Sequence, residues 1–156
     1  MAQKIRKPNR LPDYDYSQNG AYFVTICIKD REPILSRISV GANCVRLTDF
    51  GKVVDDEIKK MNTVYECVFV DNYVIMPNHI HLLIRIENDG RRPQVAPTVS
   101  RIIKQFKGSV TKQIGMSVWQ KGFYDHVVRD GYDYQIRWQY IDDNPPKWAE
   151  DELYIK

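Results

Sequence analysis

The sequence predicts an α+β fold in which one β-sheet is covered by α-helices. Four separate runs are rich in β-branched and aromatic residues, which is typical of strands. Two longer stretches repeat apolar residues at the spacing of an amphipathic helix, and a third helical stretch ends at a pair of prolines. Because a chain of 156 residues with 43% hydrophobic residues can bury one core, we expect residues 1–156 to form a single domain.

The first half of the chain predicts a strand and a helix after a basic arm. Residues 1–19 are basic and contain proline, and residues 21–28 predict the first strand. Residues 31–45 carry mixed signals, with a short hairpin expected around residues 41–43. The first helix is expected over residues 48–61 and starts at a threonine cap. Its apolar side chains recur at helical spacing, namely Phe50, Val53, Val54, Ile58 and Met61.

Two further strands and a loop follow this helix. Residues 64–75 predict a second strand, which Asp71 and Asn72 interrupt. A Met-Pro-Asn turn then leads into a third strand over residues 79–86. Glycine and proline in residues 87–97 predict a flexible loop.

The last part of the chain predicts a helix, a strand region and a final helix. A helix begins at a cap, either Thr98 or Ser100, and residues 118–129 form a strand region. The final helix is expected over residues 132–144, since the residue before a proline is disfavoured in helical geometry. The resulting order, β-α-β-β-α-β with an extra C-terminal helix, is the ferredoxin-like pattern and predicts an antiparallel sheet.

The third predicted strand carries two of the three histidines of the chain. Side chains alternate across a strand, so His79 and His81 are expected on one face, with Ile80 and Leu82 in the core on the other. Two imidazoles on one face make half of a divalent metal site. The alternative interpretation is a pair of exposed strand histidines.

The final helix offers three groups that could complete such a site. Tyr140 and Asn144 are four residues apart and share one helix face, and Arg137 lies on the same side. A tyrosine hydroxyl can attack phosphorus and form a phosphotyrosine. The Asn144 amide oxygen would be a third ligand for a metal that polarises the phosphate, and Arg137 would neutralise phosphate charge. Taken alone, each residue also fits an ordinary structural role.

Basic residues predict contact with an anionic partner. The net charge is +3 and the isoelectric point is near 8.7, which by itself is a weak indication. No acidic residue lies between Val99 and Met116, so the basic side of that helix predicts a phosphate-facing surface. The candidate DNA-binding residues are Arg101, Lys104, Lys107 and Lys112 on this helix and Arg6, Lys7 and Arg10 in the arm.

Cysteine spacing and hydropathy indicate the compartment. The three cysteines, Cys27, Cys44 and Cys67, are widely spaced and form no disulfide framework, which predicts a reducing, cytoplasmic setting. The chain has no run of 18 apolar residues and its N-terminus has no apolar signal region, so we expect no membrane span and no signal peptide.

From about residue 6 to residue 150, the chain resembles the REP-associated tyrosine transposases, a branch of the single-tyrosine HUH transposases. A Met-Pro-Asn-His-x-His string at residues 76–81 and a Tyr-Ile-x-x-Asn-Pro string at residues 140–145 are jointly specific for this family. Further matching positions are residues 10–16, 20–25, 102–107 and 118–120, together with His126, Arg129 and Trp148.

The resemblance implies a ferredoxin-like core, a Mg²⁺ or Mn²⁺ ion, and nicking of single-stranded DNA near hairpin-forming repeats. The implied products are a 5′-phosphotyrosine and a free 3′-hydroxyl. His79 and His81 match the HUH ligands, Tyr140 the nucleophile and Asn144 the third ligand. His126 matches a family position and is interpreted as a DNA contact or a structural residue. The resemblance is compatible with a monomer or a homodimer.

Other hypotheses stay open from the sequence. Tyr134 on the same helix is a rival nucleophile, although it lies ten residues from Asn144 and is expected to face elsewhere. A non-catalytic single-stranded nucleic-acid binding protein of ferredoxin-like fold is one alternative function. A zinc hydrolase is another, and it needs more ligands than the two histidines provide.

Overall fold

The computed structural model describes residues 20–39, 44–87, 98–151 and 153. Short 3₁₀ turns at Lys29–Arg31 and Trp148–Glu150 accompany the main elements. These elements are β1 (Gly20–Cys27), β2 (Ser36–Ile38), β3 (Val45–Leu47), α1 (Asp49–Val64), β4 (Val68–Ile75), β5 (His79–Ile86), α2 (Val99–Ile114), β6 (Tyr124–Val128) and α3 (Gly131–Asp143).

Local sequence signals explain where the helices begin and end. The Thr48 hydroxyl caps α1, because it accepts a hydrogen bond from the backbone N–H of Gly51 at 3.1 Å. Thr98 caps α2 in the same way. Asp130 caps α3 through its carboxylate, at 2.7 Å from a backbone nitrogen. α2 ends at Gly115, whose φ of 87° is a left-handed conformation that favours glycine.

The four long strands form one antiparallel sheet. Their order is β4-β5-β1-β6, and every neighbouring pair is antiparallel. In the β1–β5 register, His79 lies opposite Cys27 and His81 opposite Thr25. β4 has a bulge between Val70 and Asn72, which breaks the regular pairing with β5.

The two faces of the sheet are covered by different helices. Tyr22, Val24 and Ile26 alternate along β1 and are fully buried in the large core cluster with α1 and α2. Phe23 points to the other face, where a smaller cluster includes Ile141 of α3. Complete burial of an aliphatic side chain such as Ile141 contributes about 2 kcal/mol. α3 is therefore held against the face opposite α1 and α2.

The predicted α+β class with an antiparallel sheet and three helices is confirmed. α1 extends to Val64 instead of ending at residue 61, because its helical hydrogen bonds continue, and β4 begins correspondingly later at Val68. α3 spans Gly131–Asp143, with Asn144 as its cap residue. β2 and β3 pair as a short hairpin, but its expected turn at residues 41–43 lies outside the described residues.

The basic arm and most of the predicted loop at residues 87–97 also lie outside the described residues. Among the helices that the structure describes, none combines the length and apolar character required to span a membrane.

Candidate active site

Two histidines lie side by side on the sheet face that α3 covers. His79 and His81 are two residues apart on β5, so their side chains share a face. The ring centroids are 4.7 Å apart, and the residues are only 0% and 4% exposed. The alternative interpretation of an exposed histidine pair is therefore wrong, because α3 and the segment after it cover this face.

Hydrogen bonds determine which nitrogen of each ring is left free. The Asn78 side-chain nitrogen donates to the carbonyl oxygens of Leu153 at 2.7 Å and Arg31 at 3.3 Å. The Asn78 oxygen is therefore an acceptor, and His79 Nδ1 donates to it at 2.8 Å. The Thr25 hydroxyl is the corresponding hydrogen-bond partner of the second ring, and its oxygen lies 2.8 Å from His81 Nδ1. Nε2 is the free nitrogen in both rings, as in metal-binding histidines.

Both imidazoles are neutral at pH 7. Burial lowers the pKa of His79 from 6.5 to about 4, and this outweighs the raising effects of Asp151 and Asn144. Burial and the neighbouring His79 also keep the pKa of His81 well below its usual value. His79 Nε2 lies 3.6 Å from an Asp151 carboxylate oxygen, and because the ring is neutral this contact is not an ion pair.

The site gathers three buried polar atoms without a hydrogen-bond partner among the described residues. They are His79 Nε2, His81 Nε2 and Asn144 Oδ1, and none of them has such a partner within residues 20–39, 44–87, 98–151 and 153. The Asn144 amide lies near enough to His79 to raise its pKa, although no hydrogen bond of normal geometry joins them. Unsatisfied buried polar atoms cost about 1–3 kcal/mol each. A divalent cation here would satisfy all three, so the residues present fit a metal ion.

Asp151 adds a carboxylate to this set. Candidate ligand atoms of His79, His81 and Asp151 all lie within 4.8 Å of one another. An unprotonated ring nitrogen facing a carboxylate repels it unless a cation lies between them. Nitrogen and oxygen donors in this combination suit several divalent ions.

Tyr140 lies directly beside the histidines and is open to solvent. Its ring centroid is 5.3 Å from that of His81, in an edge-on arrangement, and the residue is 46% exposed. Phe23 of β1 contacts both rings, stacking on His81 at 5.2 Å and meeting the Tyr140 ring edge-on at 5.7 Å. The four-residue spacing to Asn144 brings the phenol and the amide to the same end of α3.

Residues of the β4 bulge contact α3 and bond the hydroxyl of the rival tyrosine, Tyr134. The Tyr134 hydroxyl donates to Asp71 at 2.7 Å, and the Asn72 side chain donates to Asp142 at 3.1 Å. Burial and Asp71 raise the pKa of Tyr134 to about 12. The Tyr134 hydroxyl is therefore engaged with a carboxylate, whereas the Tyr140 ring lies beside His81.

Arg137 and His126 lie on the same face of the sheet as the histidines. The guanidinium carbon of Arg137 is 5.4 Å from the centre of the Phe23 ring. Its Nε donates to Asp133 at 3.3 Å, and His126 Nε2 lies 2.8 Å from the same carboxylate. The structure thus links His126 to the site through Asp133.

The basic residues of α2 lie on the opposite face of the sheet. α2 packs into the large core cluster away from α3, with Arg101, Lys104 and Lys112 on its exposed side. Lys107 is partly used internally, because its ammonium donates to the carbonyl oxygens of Gln120 at 2.8 Å and Gly122 at 2.9 Å. The structure does not bring these cations to the histidine pair. The other candidates, Arg6, Lys7 and Arg10, lie outside the described residues.

Sequence analysis missed several residues that shape the site, including Asn78, Phe23 and Asp151. Asn78 stands in the Met-Pro-Asn-His-x-His string, and its position before the first histidine was a usable signal. Phe23 had a usable signal only in its alternation with the core residues of β1. Asp151 carried no signal, because its approach to His79 depends on how the segment after α3 folds back.

Comparison with known proteins identifies relatives along nearly the whole chain. No family model matches the chain. A Haemophilus influenzae protein of unassigned function is 31% identical over 170 aligned positions, which cover 96% of this chain and 93% of that protein. A second Haemophilus influenzae protein, provisionally assigned as a REP-associated tyrosine transposase, is 28% identical over 144 positions, covering 85% of this chain and 74% of that protein.

Solved structures share the fold. A REP-associated tyrosine transposase bound to a REP hairpin superposes with a TM-score of 0.64 at 21% identity, covering 94% of this chain and 74% of that chain. A protein from Deinococcus radiodurans R1, provisionally described as a transposase, gives a TM-score of 0.51 at 18% identity, covering 86% and 95%. Taken together, the motifs, the second relative and the shared fold support the identification of the chain as a REP-associated tyrosine transposase.

Proposed function

We propose that the protein is an HUH-type tyrosine DNA nickase and strand transferase that acts on single-stranded DNA near hairpin-forming repeats. Transposase function itself is supported by the family. One observation carries the finer proposal, namely that three buried polar atoms, which have no hydrogen-bond partner in the described part of the chain, lie near an exposed phenol. These atoms are His79 Nε2, His81 Nε2 and Asn144 Oδ1, and the phenol is that of Tyr140.

A Mg²⁺ or Mn²⁺ ion would be held by His79, His81 and Asn144, with Asp151 as a further oxygen ligand. When bound, such an ion polarises the scissile phosphate and stabilises the charge that develops on the leaving oxygen. The protein prepares the ligands in advance, because Asn78 and Thr25 orient the rings and burial keeps them unprotonated.

The chemical step is carried by Tyr140. Its oxygen attacks phosphorus, so that the Tyr140 Oη–P bond forms while the bond between phosphorus and the 3′-oxygen breaks. The phenol loses its proton, the 3′-oxygen gains one, and the 5′ end of the downstream strand stays attached as a phosphotyrosine. Arg137 neutralises the phosphate. Because the phosphodiester bond is conserved in the adduct, the strand can be rejoined without ATP.

DNA binding would use surfaces beyond the site. The transposase relative of known structure was solved with a REP hairpin, and we extend a hairpin DNA partner to this chain. The cations on α2 face away from the histidines, so we expect them to contact a part of the DNA other than the scissile phosphate. The proposed DNA contacts are Arg101, Lys104, Lys107 and Lys112, together with Arg6, Lys7 and Arg10 and, as an alternative to a structural role, His126.

The architecture is consistent with this assignment. We assign the strand order β4-β5-β1-β6, with α1 and α2 on one face, to the ferredoxin-like topology within a single domain of residues 1–156. α3 docks on the sheet of its own chain, so a monomer can assemble the site, and a homodimer is the other state that the proposal accommodates. We propose the cytoplasm as its compartment.

Incubation with labelled single-stranded hairpin oligonucleotides tests this function. With MnCl₂, we expect a protein–DNA adduct on a denaturing gel that carries the 3′ label of the strand. Tyr140→Phe should form no adduct, whereas the matched control Tyr134→Phe should still form it. Adduct formation by Tyr140→Phe would refute the nucleophile assignment. Tight hairpin binding by the wild type without any cleavage would favour the non-catalytic binding protein.

One observation keeps a zinc hydrolase as a second candidate. Asp151 supplies the third protein ligand that two histidines alone lack, and a His-His-carboxylate set is found in catalytic zinc sites. Metal analysis after purification distinguishes the two, because a zinc hydrolase should retain one zinc per chain through chelator treatment. Our proposal expects a readily removed ion.

A further inference from the structure

We propose that Asp133 is a positioning residue for phosphodiester cleavage, which acts by holding Arg137 beside the reacting groups. This role rests on the proposed function and adds to it a residue with no part in metal binding or nucleophilic attack. It comes from a ring of four side chains on the α3 face of the sheet, in which three neighbouring pairs are in contact and the fourth pair, Phe23 and His126, lies opposite each other in the strand register. The other members are Asp133 and Arg137.

The strand register supplies one side of this ring. Phe23 on β1 lies directly opposite His126 on β6, and antiparallel partners project to the same face. His126 then contacts the Asp133 carboxylate through Nε2 at 2.8 Å. The backbone N–H of Arg129 donates to the same oxygen at 3.1 Å. Asp133 is therefore fixed to β6 and to the residue that follows it, although it belongs to the first turn of α3.

The helix spacing supplies the other side. Asp133 and Arg137 are four residues apart on α3, and Arg137 Nε donates to the second carboxylate oxygen at 3.3 Å. The guanidinium lies over the Phe23 ring at 5.4 Å. That ring also contacts both His81 and Tyr140. Arg137 is thus held at its Nε end, next to the proposed ligand and the proposed nucleophile.

This arrangement leaves the phosphate-binding end of Arg137 available. Within the part of the chain that the structure describes, its two terminal nitrogens make no hydrogen bond or ion pair. A guanidinium held through Nε can still present both terminal nitrogens to phosphate oxygens. Burial alone would raise the pKa of Asp133, but hydrogen bonds from His126, Arg129 and Arg137 outweigh it and hold the pKa below its usual value. The carboxylate is therefore charged at neutral pH.

The test is a double-mutant cycle on single-turnover adduct formation with a hairpin oligonucleotide and MnCl₂. Asp133→Asn should slow adduct formation by roughly 10- to 100-fold, the range expected for a misplaced reacting-site group. Arg137→Ala should slow it at least as much, and the double variant should be no slower than Arg137→Ala alone. Hairpin affinity and Tm should change little. Asp130→Asn is the matched control, because asparagine caps α3 as well as aspartate and should keep the wild-type rate.

Arg137→Lys provides a second route if Asp133→Asn fails to fold. Lysine keeps the positive charge but has a single nitrogen. It therefore cannot donate to Asp133 and at the same time offer two further nitrogens to a phosphate, so the variant should form the adduct slowly. A wild-type rate for Arg137→Lys or for folded Asp133→Asn would overturn the inference, and so would additive losses in the double variant. Absence of any adduct from the wild type would instead overturn the proposed function.

Discussion

Acid should destabilise the metal-free protein because His79 is buried in its neutral form. The native pKa is lowered from 6.5 to about 4, and the side chain is 0% exposed. As pH falls below 6.5, the unfolded chain takes up a proton at this residue that the native protein does not. The free energy of unfolding therefore falls over the window between pH 6.5 and pH 4, and no such loss is expected above it.

The size of the effect follows from the two pKa values. Proton linkage converts them to a loss of about 2 kcal/mol between pH 7 and pH 5 from His79 alone. Total stabilities of domains are typically about 5–15 kcal/mol, so this is a measurable share. His81 should add to the loss, because its pKa is also lowered by burial.

Urea unfolding in the presence of a chelator measures this loss. Wild type and His79→Gln are compared at pH 7 and pH 5, and the wild type should lose about 2 kcal/mol more than the variant. Equal losses in wild type and His79→Gln would show that His79 is not a buried neutral ring, and the site geometry would be refuted.

Three more outcomes are expected. Asn78→Ala should weaken Mn²⁺ binding about 10- to 100-fold by calorimetry, because the partner that orients His79 is lost; unchanged affinity would count against that role. Chelation should stop adduct formation but leave hairpin binding, measured by gel shift, and added MnCl₂ should restore the adduct. Lys107→Ala should lower the free energy of unfolding by about 1 kcal/mol, because the ammonium holds two carbonyl oxygens. The exposed Lys104→Ala is its control, and equal stabilities would contradict the internal role of Lys107.

Much of the fold and part of the site could be predicted because the deciding signals are local. Helical periodicity and caps located α1 and α2 to within a few residues. Alternation along β5 was enough to place His79 and His81 on one face. The four-residue spacing put Tyr140 and Asn144 at one end of α3. In each case the relevant residues are close in sequence, so the geometry of one element decides the outcome.

The rest depends on contacts between distant parts of the chain. The bulge in β4 places Asp71 against Tyr134, and nothing local indicates which tyrosine it would select. Phe23 reaches Arg137 only because β1, β6 and α3 meet. Asp151 approaches His79 through the fold of the segment after α3. The residue periodicity of a single helix or strand contains no information about contacts between distant elements.

The most direct test of the central claim is a crystal of the protein soaked in MnCl₂ and measured for anomalous scattering. We expect one strong peak at coordination distance from His79 Nε2, His81 Nε2 and Asn144 Oδ1, with the Tyr140 hydroxyl nearby. A peak that avoids these atoms, or none at saturating manganese, would contradict the proposed metal site.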